Sequence, residues 1–163
     1  MKSRKIPILL KNGFLILCVL SACKGSLKED LISKINKECG SHANSNCIIN
    51  LKDVTEFKWD KMYLFPNWTT NDSIAKVIGF KYNGDDVQDQ YNRMLFTLGK
   101  KVVYEEDYES LDSYNSSISF DQASDSFLPV GKSIFRIKAD RVEGSCKDCF
   151  FYSLEPVTKS KPK

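Results

Sequence analysis

The feature that most constrains this chain is its start, because it decides which residues are left to fold. Lys2, Arg4, Lys5 and Lys11 form a basic leader, and the uncharged run after them, Gly13 to Ala22, is ten residues long. A helix that crosses a bilayer needs about 20 predominantly apolar residues. Extending the run back to Ile6 brings in Lys11 and Asn12, so spanning is disfavoured. Nor is the stretch read as a buried N-terminal helix of the domain, since it is wholly apolar and has no polar face. A basic start, a short apolar middle and small residues at the end have the form of an export signal. Residues 1–22 are therefore expected to be removed, and the fold must be built from residue 23 onward.

The residues around the end of that segment, Leu20-Ser21-Ala22-Cys23, resemble the lipobox of bacterial lipoproteins. The resemblance covers the first 23 residues only. It implies that the Cys23 thiol carries a diacylglycerol, that the leader is cut before Cys23, and that the freed amine is acylated. Two or three acyl chains hold a protein stably to a membrane, at roughly 0.8 kcal/mol for each buried methylene. Lys24 comes directly after Cys23, where lipoproteins kept in the inner membrane often carry aspartate. The resemblance thus favours the periplasmic face of the outer membrane, with membrane lipid as the partner held through Cys23.

Removing the leader changes the charge balance. It holds four of the 24 basic residues and none of the 21 acidic ones, which leaves 20 against 21 in the remainder, about −1. That argues against a nucleic-acid partner, whose phosphates call for a basic surface. The one Lys-rich stretch, residues 158–163, has the composition of a frayed, disordered tail. Residues 23–26 are too few to be more than a short tether, and residues 27–157 are of a size for one small domain.

Four cysteines lie beyond the anchor: Cys39, Cys47, Cys146 and Cys149. Export to an oxidising compartment makes disulfides the default, and four cysteines allow three connectivities. Pairing Cys39 with Cys47 and Cys146 with Cys149 is favoured because each pair is close in sequence and flanks turn residues. Cys146-Lys147-Asp148-Cys149 is also the spacing of a thiol oxidoreductase. There, however, the first cysteine opens a helix whose N-terminus stabilises the thiolate. Here an aromatic Phe150-Phe151-Tyr152 strand comes next, and Asp148 opposes ionisation, so a structural bond is preferred. A zinc site would have to join these cysteines with His42, the only histidine, and the Cys39/Cys47 spacing is not the usual ligand pair. No metal and no cofactor are expected.

Ser26-Leu27-Lys28-Glu29 has the form of a capping box, in which Glu29 reaches back to the helix start. Leu27, Leu31 and Ile35 recur at helical spacing and Gly40 ends the helix. A second helix opens at Thr70 or Asn71, carries Ile74, Val77 and Ile78 on one face, and stops at Gly79. Between them, Phe57, Trp59, Tyr63 and Phe65, with Lys61, share one face of an expected extended strand that Pro66 ends. Its Trp-Asp-Lys-x-Tyr-x-Phe pattern is similar to a strand in small exported lipoproteins of uncharacterised activity, and so implies none. A short strand with an Asn-Gly turn is expected over residues 79–88. Strands are expected at 93–98 and 101–106 around Gly99, and near Ile118 to Phe120 within a Ser-, Asp- and Asn-rich mobile loop. Another runs through Phe135, Ile137 and Ala139, and a final one begins after Cys149. The fold class is α+β: two short N-terminal helices with a mainly antiparallel sheet.

The residues offer no hydrolase elbow and no complete phosphate loop. Asp85-Asp86 and Glu105-Glu106-Asp107 read as a solvated acidic edge rather than as paired catalytic carboxylates. Trp59, Tyr63, Phe65 and Trp68 read first as core; exposed aromatic residues also serve protein contacts, and on that alternative Trp59 and Trp68 are the candidate binding surface. Trp68, beyond Pro66, is the one expected to stand in solvent. The sequence favours a non-enzymatic protein-binding module, of which an immunity protein against an envelope-delivered toxin is one version. A structural accessory of envelope assembly and a CxxC oxidoreductase are the alternatives.

Overall fold

The computed structural model describes residues 25–40, 47–109, 115–121, 127–142 and 149–157. Cys23, His42, Cys146, the leader and the tail lie outside the described residues. The architecture is mixed α+β, with two helices and two four-stranded, mainly antiparallel sheets. Helix α1 spans Leu27–Cys39 and helix α2 spans Asn71–Ile78. The strands are β1 (Ile48–Asn50), β2 (Lys61–Phe65), β3 (Tyr91–Leu98), β4 (Lys101–Glu109), β5 (Ser117–Phe120), β6 (Leu128–Pro129), β7 (Ile134–Arg141) and β8 (Phe150–Pro156). One sheet runs β1-β7-β8-β5 and the other β4-β3-β2-β6. No helix among the described residues is long and apolar enough to cross a membrane.

Side-chain alternation explains how the layers assemble. Along β7, Phe135 and Ile137 are buried while Arg136 and Lys138 are exposed, and along β8 Phe150, Tyr152 and Leu154 point inward. This sheet is apolar on one face only, the normal pattern for an antiparallel sheet with a solvated side. The second sheet is covered on both faces, so Arg93 to Thr97 in β3 are all buried. Met94 and Phe96 join the main core with Ile49, Phe135, Ile137, Tyr152, Leu154 and the Leu27, Leu31 and Ile35 stripe of α1. Leu95, from the opposite face of β3, packs with Tyr63, Phe65, Ile74 and Ile78 under α2. Fully burying a side chain of this size contributes roughly 1.5–3 kcal/mol, so both faces of β3 stabilise the fold.

The helix caps come from the expected residues. Ser26 Oγ accepts from Glu29 N–H, Thr70 Oγ1 accepts from Ser73 N–H, and Gly40 and Gly79 close the helices at positive φ. Val77, expected on the apolar face of α2, is exposed, because the helix lies on the sheet through Ile74 and Ile78. Helix α2 follows the aromatic strand, as expected, and lies between β2 and β3, so that only α1 is N-terminal to the strands.

Several expectations are corrected. The Phe57-to-Phe65 strand is only Lys61–Phe65. The Asp60 carboxylate accepts from Thr97 Oγ1 (3.1 Å) and Gly99 N–H (2.8 Å), and Asp60 N–H donates to Thr97 O (2.8 Å). These bonds fix the chain just before β2 begins, and the aromatic stripe divides there. Phe57 and Trp59 go to the main core, Tyr63 and Phe65 to the α2 side. Residues 79–88 form no strand; Tyr82 and Val87 instead turn inward from an irregular segment. Strands β5 and β8 pair in parallel, the one departure from antiparallel order among the described strands.

Candidate functional site

Trp68 is the residue the fold leaves out. It is 70% exposed, the largest exposure among the large hydrophobic side chains described. Its φ is 64°, a left-handed conformation that costs a non-glycine residue roughly 1–2 kcal/mol. Backbone bonds hold it there. Trp68 N–H donates to Val87 O (3.0 Å), Val87 N–H donates to Thr69 O (2.9 Å), and the Thr69 hydroxyl donates to Pro66 O (2.7 Å). Asn71 N–H, at the start of α2, donates to the Asp86 carboxylate (2.7 Å). The loop between β2 and α2 is thus stitched to residues 86–87, and the indole is presented from a fixed backbone.

Trp59 is corrected as a surface residue. It is 6% exposed, packs edge-on to Phe96 at 5.1 Å, and donates its indole N–H to Thr55 Oγ1 (2.9 Å). That satisfied polar atom lets a tryptophan sit in a core.

Asp85, Asp86, Glu105 and Asp107 are exposed as expected, and the carboxylates of Asp86, Glu105, Glu106 and Asp107 are in addition hydrogen-bonded. Alternation along β4 sends Glu105 and Asp107 to one face and Glu106 to the other. Asp107 makes a bidentate pair with Arg93 (2.5 and 2.7 Å), and Arg93 also donates to Tyr82 Oη (2.7 Å) and Asp85 O (2.6 Å). Tyr82 in turn donates to Glu105 (2.8 Å). The Asp107 bond raises the Arg93 pKa, and burial foremost, then the Glu105 bond, raises that of Tyr82. A buried guanidinium with all these acceptors is a structural pin between β3, β4 and the segment under α2. On the other face Glu106 accepts from Ser26 Oγ (2.6 Å), Leu27 N–H (2.7 Å) and the Tyr104 hydroxyl (2.5 Å). The carboxylate meeting the free N–H groups of α1 is therefore Glu106, from a strand distant in sequence, in the role expected of Glu29. Burial first and the Glu106 bond second push the Tyr104 hydroxyl up to about 12.

Cys39 and Cys47 are disulfide-bonded, with Cα atoms 5.5 Å apart, and tie the end of α1 to the start of β1. Cys149 is buried and also disulfide-bonded. Among the described residues no three His, Cys, Asp or Glu side chains gather as a metal site. Sequence reasoning misses the Arg93 pin and the capping role of Glu106. The signal for the first is a lone charge inside the apolar run of β3, and for the second there is none.

No protein-family model matches this chain, and neither a curated protein nor a solved structure is significantly similar to it.

Proposed function

We propose that the protein is a lipoprotein, anchored through Cys23 at the periplasmic face of the outer membrane, that works by binding another protein rather than by catalysis. Trp68 carries this reading. A tryptophan held at positive φ costs conformational energy, and the side chain gains little packing in return. Strained residues mark functional positions when the surroundings over-determine them. Large aromatic side chains with few freely rotating bonds are the usual anchors of protein contacts. The immunity role is the concrete version: a small exported domain that occupies a toxin by surface complementarity needs a rigid anchor and no catalytic group. Residues 158–163 are taken as a tail and residues 27–157 as one domain.

The test is capture of partners from detergent-solubilised envelopes by the wild type and by Trp68→Gly. Glycine relieves the left-handed strain, so the variant should be no less stable while its partner is lost. Identical recovery by both chains, or no specific partner in strains with and without neighbouring toxin genes, would reject the reading.

A further inference from the structure

Leu98 stands at the tip of the β3–β4 hairpin, 46% exposed, beside Gly99 at φ 60°. On one side it lines a groove with Trp59, Lys52 and Lys58. On the other side of the tip, Lys81, Lys100 and Lys101 surround a second depression. All five lysines are exposed, and among the described residues none is in an ion pair. Glu56 and Glu105 also line these depressions. Glu105 accepts from Tyr82, while Asp60, the carboxylate at the tip, is held by Gly99 and Thr97. The tip is an apolar residue with five lysines against three carboxylates, Glu56, Asp60 and Glu105, an excess of positive charge in a chain whose charge after the leader is close to zero.

The tip also lies near the start of the described chain. Gly25 lines a depression with Glu56, Phe57 and Tyr104, and Glu56 and Phe57 also wall the Leu98 groove. Tyr104 pairs with Phe96, two residues before Leu98. Cys23 precedes Gly25 by two residues, a span of at most about 7 Å. Trp68 lies beyond the far end of β2, whose first residue, Lys61, pairs with Thr97 beside the tip.

We infer that the β3–β4 tip rests on anionic phospholipid headgroups of the bilayer that holds Cys23, turning Trp68 away from the membrane. The inference rests on the lipid-anchor proposal. Lysines near an anionic surface each gain attraction, and an exposed leucine adds apolar contact at the headgroup boundary.

The test is lysine footprinting of the native lipidated protein in vesicles of phosphatidylethanolamine with phosphatidylglycerol, against vesicles of phosphatidylcholine. With anionic lipid, amine labelling of Lys52, Lys58, Lys81, Lys100 and Lys101 should slow about fivefold, with Lys76 unchanged. Lys100→Glu with Lys101→Glu should restore labelling of Lys52 and Lys58. Equal labelling in both vesicles on protein that floats with them overturns the tip contact and spares the anchor. Protection already present in detergent, lost on dilution, overturns it in favour of self-association. Failure to float, with no lipid mass on Cys23, removes the anchor and the tip contact together.

Discussion

Replacing Glu106 with alanine isolates the least expected contact in the fold. The carboxylate serves the N–H of buried Leu27, the Ser26 and Tyr104 hydroxyls and, at 3.3 Å, Lys28 N–H. Losing a charged acceptor from a buried donor costs roughly 1.5–3 kcal/mol. Removing a negative charge from a helix N-terminus costs about 0.3–1 kcal/mol more. Water reaches the half-buried site and replaces part of the hydroxyl bonding, so the total is about 3 kcal/mol. Leu31 and Ile35 continue from Leu27 into the main core, which makes the loss felt in the global transition rather than as fraying. In urea, with a slope near 1.5 kcal/mol/M, the circular-dichroism midpoint falls by about 2 M. Glu106→Gln keeps one acceptor oxygen and loses about half as much. Glu29→Ala, at an exposed position, changes stability by less than about 0.5 kcal/mol. If Glu29→Ala proves the costlier change, the cap is local and the long-range account is wrong.

Three further outcomes rest on the same contacts. Asp107→Ala strands the Arg93 guanidinium and costs about 3 kcal/mol, discounted for the partial exposure of Asp107; Arg93→Met combined with Asp107→Leu recovers most of that in denaturant melts. Replacing Cys39 and Cys47 with serine opens a bridge of sequence separation 8 and costs about 2.5 kcal/mol on the loop-entropy account, read as a lower melting temperature. Burial raises Tyr63, Tyr82, Tyr104, Tyr108 and Tyr152 above the ordinary tyrosine value of 10.0. The native state therefore holds protons that the unfolded chain releases. Their contribution is complete below pH 10 and is lost as pH rises through the folded values, which for Tyr104 is about 12. Tyr104→Phe should flatten that alkaline loss in a pH series of melts.

Local chemistry wrote the legible parts of the fold. Ser26 and Thr70 cap by reaching a backbone N–H three residues on, Gly99 turns a hairpin, and Phe135 and Ile137 alternate with Arg136 and Lys138; each signal lies within one element. The hidden parts depend on partners far apart in sequence. Glu106 belongs to β4 but caps α1. Asp60 fixes the chain before β2 only because Thr97 and Gly99 lie beside it, which is why Trp59 leaves the face of Tyr63. Burial of Arg93 requires knowing that β3 is covered on both sides. The two- and three-residue strands β6 and β1 are too short for any periodicity to show. Trp68 is legible as exposed from Pro66 and its polar neighbours, whereas its left-handed backbone depends on Val87.

The anchor is the claim on which compartment, disulfide formation and partner all depend, and intact-mass analysis of the mature protein tests it most directly. The account predicts a chain beginning at Cys23 with diacylglyceryl and acyl mass on that residue, and no such species from Cys23→Ala. A chain that begins at Met1 without lipid, or lipid retained by the Cys23→Ala variant, would contradict it.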